Sequence, residues 1–575
     1  MAKKRNRAPS EADTAEEAAS SAVQPACFAP DALLRATEQA ASFATATPYP
    51  HSHLSSVFLP PALLAVRQEL GLLSSTFKET DLFKVYQTGD LANLDEANPE
   101  HAAALPSTIA LRAALYSPAF RSFVRTVTGC PPLTAQQDCS CNAYRRGGHL
   151  LCHDDVIGTR CVSYVIYLSR PGKQWSPRLG GALELYAVSS SSGSVLPSPV
   201  AGLPPEFGTL VLFRVQPGVS YHAVQEVASK EARLSISGWF HAATPPEGAD
   251  SIATLAQLER GGGGGGGPKA RVLRRPPRPR KPLTTAQEAR LAAVVHPAYL
   301  IASTIDAVRA QLDANGAALL SSFLRPEIAA ALVRATSAAD RRDGLDGGAM
   351  PSAGPPFTAG TRRKGWRLLG PPQLRRMLRY RPKPAAGGTG GTGEGGEGAD
   401  EGAEEAAEEP GQLRGAGAQL DAVRQVMQSA AFVQLLARLS GLAPVSCAAE
   451  VRRFRPGLDY TLAHIGTQAA SETLDATLTF VASRAKQRAS WESGDVGGFE
   501  CHVQAAGGHG AAEVYRADEG SEGVTSIHAQ ANALSLVRRG TDTMKFIKYV
   551  SAMAPGSRWD IAAEYACSSA EGSAP

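Results

Sequence analysis

Two segments of the chain alternate between apolar and polar residues in the manner of β-strands. They are residues 162–168 and 233–240, and many other short apolar runs lie between turn residues. Successive side chains of a strand point to opposite faces, so a period of two indicates that one face is turned towards a core. Many short strands separated by turns predict a double-sheet, jelly-roll core.

Two further segments have helical spacing and match each other without gaps. Residues 117–129 read SPAFRSFVRTVTG and residues 429–441 read SAAFVQLLARLSG, and both are typical of an amphipathic helix closed by a glycine. The likeness continues in short strands: residues 180–186 resemble 497–502, and residues 209–215 resemble 532–538. Such repetition predicts a duplicated unit. The expected fold class is α+β, with two tandem double-stranded β-helix (jelly-roll) domains flanked by helices.

Length and low-complexity segments divide the chain further. A chain of 575 residues exceeds a single hydrophobic core. Glycine runs and polar stretches cannot pack, so they mark linkers and tails. The predicted organisation is a polar, disordered tail (1–24), a first domain (25–258), a Gly-rich and then basic, Pro-rich linker (259–283), a second domain (284–566) with an acidic insertion (385–412), and a short tail (567–575).

Charge and cysteine content narrow the setting. The net charge is +4, with the positive residues gathered at 3–7 and 269–281. Such runs are either solvated tails or sites for nuclear import and for contact with the ribosome or RNA. The nine cysteines lack paired spacing, which favours a reducing, intracellular setting. No stretch approaches 18 apolar residues, so no membrane association is expected.

The candidate chemistry begins with His153 and Asp155. In a strand these two positions share a face, so an imidazole and a carboxylate would converge on one point. With the distant His222 they would form the two-histidine, one-carboxylate arrangement that leaves positions on Fe(II) open for substrate and oxygen. The His-x-Asp pattern alone is weak, because about half an occurrence is expected by chance in a chain of ordinary composition.

A candidate acid-binding site lies eleven residues after His222. Arg233 begins the alternating segment and shares a face with Ser235. A guanidinium can form a two-pronged, charge-assisted pair with the distal carboxylate of a keto acid, so the implied co-substrate is 2-oxoglutarate. Tyr144 and Tyr167 are candidates for the same pocket, with ordinary packing as the alternative.

Longer strings carry a family resemblance. The chain resembles the eukaryotic ribosomal prolyl hydroxylases, a family of Fe(II)/2-oxoglutarate dioxygenases of the prolyl 3,4-dihydroxylase type, from about residue 28 to 566. The similar strings are FKETDLFKVY (77–86), LLCHDD (150–155), SISGWFH (235–241), GGF (497–499) and MKFIK (544–548).

The resemblance implies function and site together. The first domain would hydroxylate a proline of a small-subunit ribosomal protein near the decoding centre, with an effect on translation and its termination, in the nucleus, the cytoplasm or both. It would use Fe(II), 2-oxoglutarate, O2 and ascorbate. The implied iron ligands are His153, Asp155 and His222; Arg233 and Tyr167 would hold 2-oxoglutarate, with Ser235 and Tyr144 as further contacts.

The second half departs from this pattern. Two residues after His464 stands Gly466, so the carboxylate ligand is missing. Met544 and Lys545 stand near the place of the second histidine, although Arg558 remains near the place of Arg233. We therefore expect the second domain to be a degenerate, non-catalytic copy.

Two alternatives belong to other functional classes. The basic linker would suit a nucleic-acid demethylase on the same scaffold, but the second arginine expected soon after Arg233 is absent from the sequence. A non-enzymatic module associated with the ribosome or with RNA would not need the intact ligand set of the first half.

Overall fold

The structure, a computed structural model, describes most of the chain. The described residues are 27–94, 96–249, 268–347, 357–381, 415–466, 470, 472–504 and 524–568. Their α-helices are α1 (Ala36–Thr45), α2 (Pro60–Glu69), α3 (Pro99–Ala104), α4 (Pro106–Leu115), α5 (Pro118–Thr128), α6 (Thr285–Ala292), α7 (Ala302–Asn315), α8 (Pro326–Arg342), α9 (Ala416–Met427), α10 (Ala430–Ser440) and α11 (Ala485–Glu492).

Antiparallel strands of the first half form one sheet. They are β1 (His51–Leu54), β2 (Ser75–Glu79), β3 (Phe83–Thr88), β4 (Leu133–Tyr144), β5 (His149–His153), β6 (Arg160–Tyr167), β7 (Leu183–Leu185), β8 (Ala201–Leu203), β9 (Leu210–Arg214), β10 (His222–Val224) and β11 (Arg233–Ala242). Their order is β1-β9-β6-β11-β4-β3-β5-β10-β7-β8, with β2 beside β3. β9 and β7, which lie next to the two ends of this path, line the same cavity through Phe213 and Leu183, so the sheet closes into a barrel-like jelly roll.

Strands of the second half repeat this order. They are β12 (Arg271–Val272), β13 (Ala317–Ser321), β14 (Trp366–Leu369), β15 (Arg375–Tyr380), β16 (Ala443–Phe454), β17 (Tyr460–Thr461), β18 (Glu472–Phe480), β19 (Glu500–Gln504), β20 (Val524–Ile527), β21 (Ala533–Arg539), β22 (Thr543–Ile547) and β23 (Arg558–Ser568). The path β13-β21-β18-β23-β16-β15 repeats β1-β9-β6-β11-β4-β3, and β20-β19-β22 repeats β8-β7-β10. The predicted duplication is confirmed by strand order.

The matched helices are α5 and α10. Ser117 and Ser429 cap them, each hydroxyl accepting a hydrogen bond from the backbone N–H three residues on, at 3.2 and 3.3 Å. Gly129 and Gly441 end them in the left-handed conformation, with φ of 60° and 74°. Each helix packs its apolar face against its own sheet, so each half has a separate hydrophobic core.

The predicted linker and tails are only partly described. The tail 1–24, the glycine run 261–267 and the acidic insertion 385–412 lie outside the described residues. Residues 268–283 do not behave as a free connector, because β12 within them pairs with β16. The last strand continues to Ser568, two residues beyond the predicted end of the second domain at residue 566.

The two domains share a buried interface behind β5 and β10. Leu151 packs with Tyr460 and Tyr549, and the His149 ring lies 4.5 Å from that of Tyr549. The buried Glu226 carboxylate accepts hydrogen bonds from Ser551 Oγ, the Ala552 N–H and Tyr549 Oη. The second domain therefore covers the outer face of the strands that carry His153 and His222.

Within the described residues, none of the helices combines the length and the apolar character needed to cross a membrane.

Candidate metal and acid-binding site

His153, Asp155 and His222 meet inside the first barrel. His153 Nε2 lies 3.1 Å from Asp155 Oδ1, and His222 Nε2 lies 3.4 Å from Asp155 Oδ2. The nearest potential ligand atoms of the three side chains lie within 4.8 Å of one another, and no other such group occurs in the described part of the chain. The predicted ligand set is thus brought together in space.

The backbone position of Asp155 differs from the predicted strand. It does not share a strand with His153: β5 ends at His153, and Asp155 lies in the following loop with a φ of 63°. Along β5 an irregular register sets the pairs His222–His153 and Val224–Leu150, so β5 has one extra residue there. Such a bulge turns Leu150 and His153 towards the same interior, which simple alternation would not do.

Both imidazoles present the same nitrogen to the centre of the cluster. Nδ1 of His153 lies 2.8 Å from the Leu151 carbonyl, and Nδ1 of His222 lies 2.8 Å from the Ser220 carbonyl. A carbonyl only accepts, so each Nδ1 carries the proton and each Nε2 keeps its lone pair for a cation. The residues therefore fit a divalent metal.

Asp155 is held as a carboxylate. Burial alone would raise its pKa, but the His222 and His153 imidazoles bring the pKa well below its ordinary value. In turn Asp155 raises the pKa of His153 against the opposing effect of burial. Trp239 Nε1 donates a hydrogen bond to Asp155 Oδ2 at 3.0 Å, and Arg160 stacks on the Trp239 ring at 3.4 Å. The Trp239 indole, held by the stacked Arg160 guanidinium, therefore orients the Asp155 carboxylate.

Arg233 lies beside this cluster, fully inside the protein. Only 2% of its surface is exposed. Its Nε donates to the Gly181 carbonyl at 2.8 Å, and its Nη atoms reach Ser235 Oγ at 3.4 Å and Tyr167 Oη at 3.3 Å. No carboxylate of the described residues forms an ion pair with it. A buried charge without a partner is costly, so this arrangement fits an anionic ligand.

The tyrosines complete the acid-binding wall. The Arg233 guanidinium lies 5.0 Å from the Tyr144 ring centre and 4.9 Å from that of Tyr167. Burial raises the pKa of Tyr144 to about 12, although Arg233 lowers it in part, and burial likewise raises the pKa of Tyr167. Both hydroxyls therefore stay protonated and able to donate. The structure places all seven predicted site residues around one region.

Gly181, in a turn with Gly180, makes room for Arg233. Gly180 and Gly181 have φ of 65° and 74°, in the left-handed region that favours glycine. A Cβ on Gly181 would lie 3.2 Å from Arg233 Cδ and from Val227 Cγ2. The turn therefore lets the backbone approach the guanidinium closely.

A cavity of about 240 Å³ opens between the candidate ligands His153, Asp155 and His222 and the Arg233 guanidinium. Beyond the predicted residues, sequence reasoning missed several of its lining side chains: Gln87, Asn142, Arg160, Leu183, Phe213, Ser237 and Trp239. Ser237 and Trp239 were detectable, because they continue the alternation of Arg233 and Ser235 along β11. The others come from strands distant in sequence and have no local signal.

The second barrel has different residues at the equivalent register positions. His464 pairs with Lys545 as His153 pairs with His222, and Gly466 stands where Asp155 would be. The Lys545 ammonium lies 3.1 Å from Asp475 and 2.7 Å from Glu564. A fixed cation of the protein thus occupies the place of the second histidine.

The equivalent of Arg233 is also neutralised there. Arg558 donates to the Gly498 carbonyl as Arg233 does to Gly181. In place of Ser235 stands Asp560, which lies 3.0 Å from Arg558, and Glu500 lies 3.6 Å away. The second barrel therefore supplies its own counterions where the first leaves Arg233 unpaired.

Two family models match the chain. One, described as the 2OG-Fe(II) oxygenase superfamily, matches residues 139–241. The other, described as "Oxoglutarate and iron-dependent oxygenase degradation C-term", matches residues 286–573. The first covers the candidate site, and the second covers the second barrel.

Curated relatives and solved structures are similar as well. The "Prolyl 3,4-dihydroxylase OGFOD1" of Ostreococcus tauri is 36% identical over 90% of this chain and 95% of its own length. The "Prolyl 3-hydroxylase OGFOD1" of Mus musculus is 32% identical over 44% of this chain and 40% of its own. A solved Pseudomonas putida prolyl-4-hydroxylase is 20% identical, covering 36% of this chain and 98% of that one with a TM-score of 0.25.

Proposed function

Because the chain belongs to the prolyl hydroxylase family of Fe(II)- and 2-oxoglutarate-dependent dioxygenases, we propose that its first barrel hydroxylates a proline of a small-subunit ribosomal protein near the decoding centre. The enzyme class requires Fe(II), 2-oxoglutarate and O2. The observation that carries the enzyme chemistry is the unpaired, buried Arg233 beside the His153–Asp155–His222 cluster, and the ribosomal substrate is supported by the family resemblance.

In this proposal each side chain has one task. His153, Asp155 and His222 hold the iron through two Nε2 atoms and a carboxylate. Arg233 pairs with the distal carboxylate of 2-oxoglutarate, and Ser235 and Tyr167 support it by hydrogen bonds. Tyr144 lies on the guanidinium's other side and closes the acid pocket.

The iron, once bound, supplies the oxidising chemistry together with O2 and 2-oxoglutarate. The protein's contribution is orientation and exclusion of water. Trp239 fixes one oxygen of Asp155, so the carboxylate presents the other towards the cavity. Leu183, Phe213 and Val224 give the cavity apolar walls, which suit a proline ring and keep water from the reacting C–H bond.

The printed names of the relatives bear on the number of hydroxyl groups that are added. The relative that matches along almost the whole chain has the printed name of a 3,4-dihydroxylase, whereas shorter matches are named 3-hydroxylases. We therefore propose that this chain adds two hydroxyl groups to its proline.

The wider setting is also a proposal, supported by the family resemblance. Modification of a ribosomal protein near the decoding centre would affect translation, including its termination. The protein would then act in the nucleus or the cytoplasm, where ribosomal subunits are assembled and used. Ascorbate would serve as the reductant that keeps the iron in its Fe(II) state. The second barrel would be a non-catalytic copy, since Gly466 and Lys545 replace two ligands.

Mass spectrometry of the small-subunit ribosomal protein tests the proposal. After incubation with the chain, Fe(II), 2-oxoglutarate and ascorbate, one proline should gain the mass of two oxygen atoms. The matched control is the Asp155→Ala variant, which should leave the proline unchanged. Conversion of 2-oxoglutarate without any mass gain on the ribosomal protein would refute the substrate while leaving the enzyme class intact.

A further inference from the structure

The described part of the predicted linker, residues 268–283, is here called the basic strap. It contains seven cationic residues and no acidic residue. All seven side chains are exposed: Lys269, Arg271, Arg274, Arg275, Arg278, Arg280 and Lys281. In the part of the chain that the structure describes, none of them forms an ion pair with a carboxylate. The basic strap is therefore a concentrated positive surface.

The backbone of the basic strap is fastened to the second domain. Arg271 and Val272 pair with Cys447 and Ser446 of β16, and the Leu273 N–H donates to the Val445 carbonyl at 2.9 Å. These bonds use the polar backbone groups of the first part of the strap. They hold it as an edge strand on the domain.

A buried glutamine fastens the rest. Gln434 on α10 is 6% exposed, and its Nε2 donates to the Arg278 and Lys281 carbonyls, each at 2.8 Å. Its Oε1 accepts the Arg278 N–H at 3.3 Å, and Arg309 donates to the Pro279 carbonyl at 3.4 Å. Prolines at 276, 277, 279 and 282 stiffen the segment further. The cations thus project from a fixed backbone.

We infer that the basic strap binds the phosphate backbone of RNA. A row of exposed guanidinium groups without internal counterions attracts a polyanion, and arginine pairs with phosphate through two parallel hydrogen bonds. Five of the seven cations are arginines. RNA needs only these side chains, and it presents phosphates at regular spacing along a flexible strand.

The fastened backbone distinguishes this partner from a protein. An acidic groove that captures a basic peptide, as in nuclear import, must surround the peptide and reach its backbone. Here the backbone groups at 271–273, 278, 279 and 281 are already bonded to the second domain. Contact with RNA leaves those bonds intact. The inference is independent of the hydroxylation proposal, since the basic strap contains none of the candidate site residues.

The test compares two variants with equal loss of charge. The strap variant combines Arg274→Gln, Arg275→Gln, Arg278→Gln and Arg280→Gln, which leaves the backbone bonds to Gln434 in place. The control variant combines Arg35→Gln, Lys173→Gln, Arg178→Gln and Lys230→Gln, four exposed cations of the first domain. Both are made in the full chain, and unchanged thermal unfolding and 2-oxoglutarate binding verify the fold.

The measurement is binding of a single-stranded RNA of mixed sequence at several salt concentrations. Each phosphate contact contributes about 0.7 to the slope of log affinity against log salt, so losing four cations should lower the slope by about 3 and weaken binding at least tenfold. The control variant should bind as the unchanged chain does, and the Asp155→Ala variant should bind RNA normally.

Three results would overturn the inference. The first is an unchanged slope in the strap variant. The second is an equal loss in the control variant, which would indicate attraction to overall charge. The third is equally tight binding of a polyglutamate of the same number of charges, which would point to an acidic protein as the partner.

Discussion

Arg233 and Arg558 occupy the same place in two copies of one fold, and a single neighbour separates their chemistry. Ser235 accompanies the first and Asp560 the second. A serine leaves the guanidinium's charge to be neutralised by a ligand, whereas an aspartate neutralises it permanently. The first barrel has no carboxylate at the position of Asp560, so the charge of Arg233 remains available to a ligand.

Arg233→Ala should weaken 2-oxoglutarate binding at least a hundredfold, because the charge-assisted pair is lost. The ligand-free protein should not lose stability in proportion, because the change also removes an unpaired buried charge. Isothermal titration with 2-oxoglutarate and denaturant unfolding measure the two effects. Arg233→Lys keeps the positive charge but loses the two parallel hydrogen bonds of the guanidinium, so it should retain only part of the affinity for 2-oxoglutarate. Equal loss of metal and 2-oxoglutarate binding would contradict the assigned role.

Asp155→Ala and Asp154→Ala form a matched pair at neighbouring positions. Asp155 lies between the two imidazoles, whereas Asp154 turns away and its Oδ2 lies 3.4 Å from the Gly218 N–H. We expect Asp155→Ala to lower affinity for Co(II), a spectroscopic substitute for iron, by at least a hundredfold and to abolish 2-oxoglutarate turnover. Asp154→Ala should retain the Co(II) spectrum. A normal spectrum in the Asp155 variant would remove that residue from the ligand set.

At the scale of elements, the strands and helices were largely predictable but their irregularities were not. Alternation located β6 and β11, and the gapless match located α5 and α10. The bulge in β5 and the left-handed backbone of Asp155 depend on pairing with β10, which no local pattern encodes. Trp239 lay on a predicted strand face, but its bond to Asp155 could be known only from the closed barrel. Likewise β12 sits in a sequence that reads as a linker, because its partner β16 lies far along the chain.

The turn before β7 gives a prediction at this scale. Gly181→Ala adds a Cβ 3.2 Å from Arg233 Cδ at a φ of 74°, so it should shift Arg233 and weaken 2-oxoglutarate binding about tenfold. Gly193→Ala is the control, because its φ of 64° imposes similar backbone strain while nothing lies within 4 Å of the added atom. Both variants should lose about 1 kcal/mol of stability, because a Cβ is strained in the left-handed conformation, but only the first should lose affinity. If titration calorimetry gave both variants the same affinity for 2-oxoglutarate, the turn at Gly181 would not position Arg233 for binding.

Over the whole molecule, the second domain supports the strands that carry two of the candidate ligands. β10 begins with His222. Glu226 lies four residues further along the first domain, and its carboxylate accepts a hydrogen bond from the Ala552 N–H of the second domain. Arg376 of the second domain reaches back, with Nη1 donating to Tyr186 Oη at 3.3 Å, and Tyr186 donates to Glu184 beside β10. The outer face of the first barrel is therefore completed by the second barrel, in which two of the candidate ligands are replaced.

Glu226 makes this interface sensitive to pH. Burial raises its folded-state pKa above the ordinary glutamate value of 4.5, against the lowering effect of its donors Ser551, Ala552 and Tyr549. Protonation therefore favours the folded, docked state. Its contribution is fully present below the ordinary value of 4.5 and is lost as the pH rises through the raised folded-state pKa. Glu226→Gln, which cannot ionise, should remove this part of the pH dependence.

The measurement is the denaturant midpoint of the unchanged chain and of the variant from about pH 4 to about pH 8. As the pH rises, the denaturant midpoint of the unchanged chain should fall relative to that of the Glu226→Gln variant. Glu247→Gln, at an exposed position of the first domain, should leave the profile of the unchanged chain as it is. Parallel profiles for Glu226→Gln and the unchanged chain would show that this carboxyl does not titrate on unfolding. The three donors would then balance the cost of burying the carboxylate, and the pKa of Glu226 would be the same in the folded and the unfolded chain.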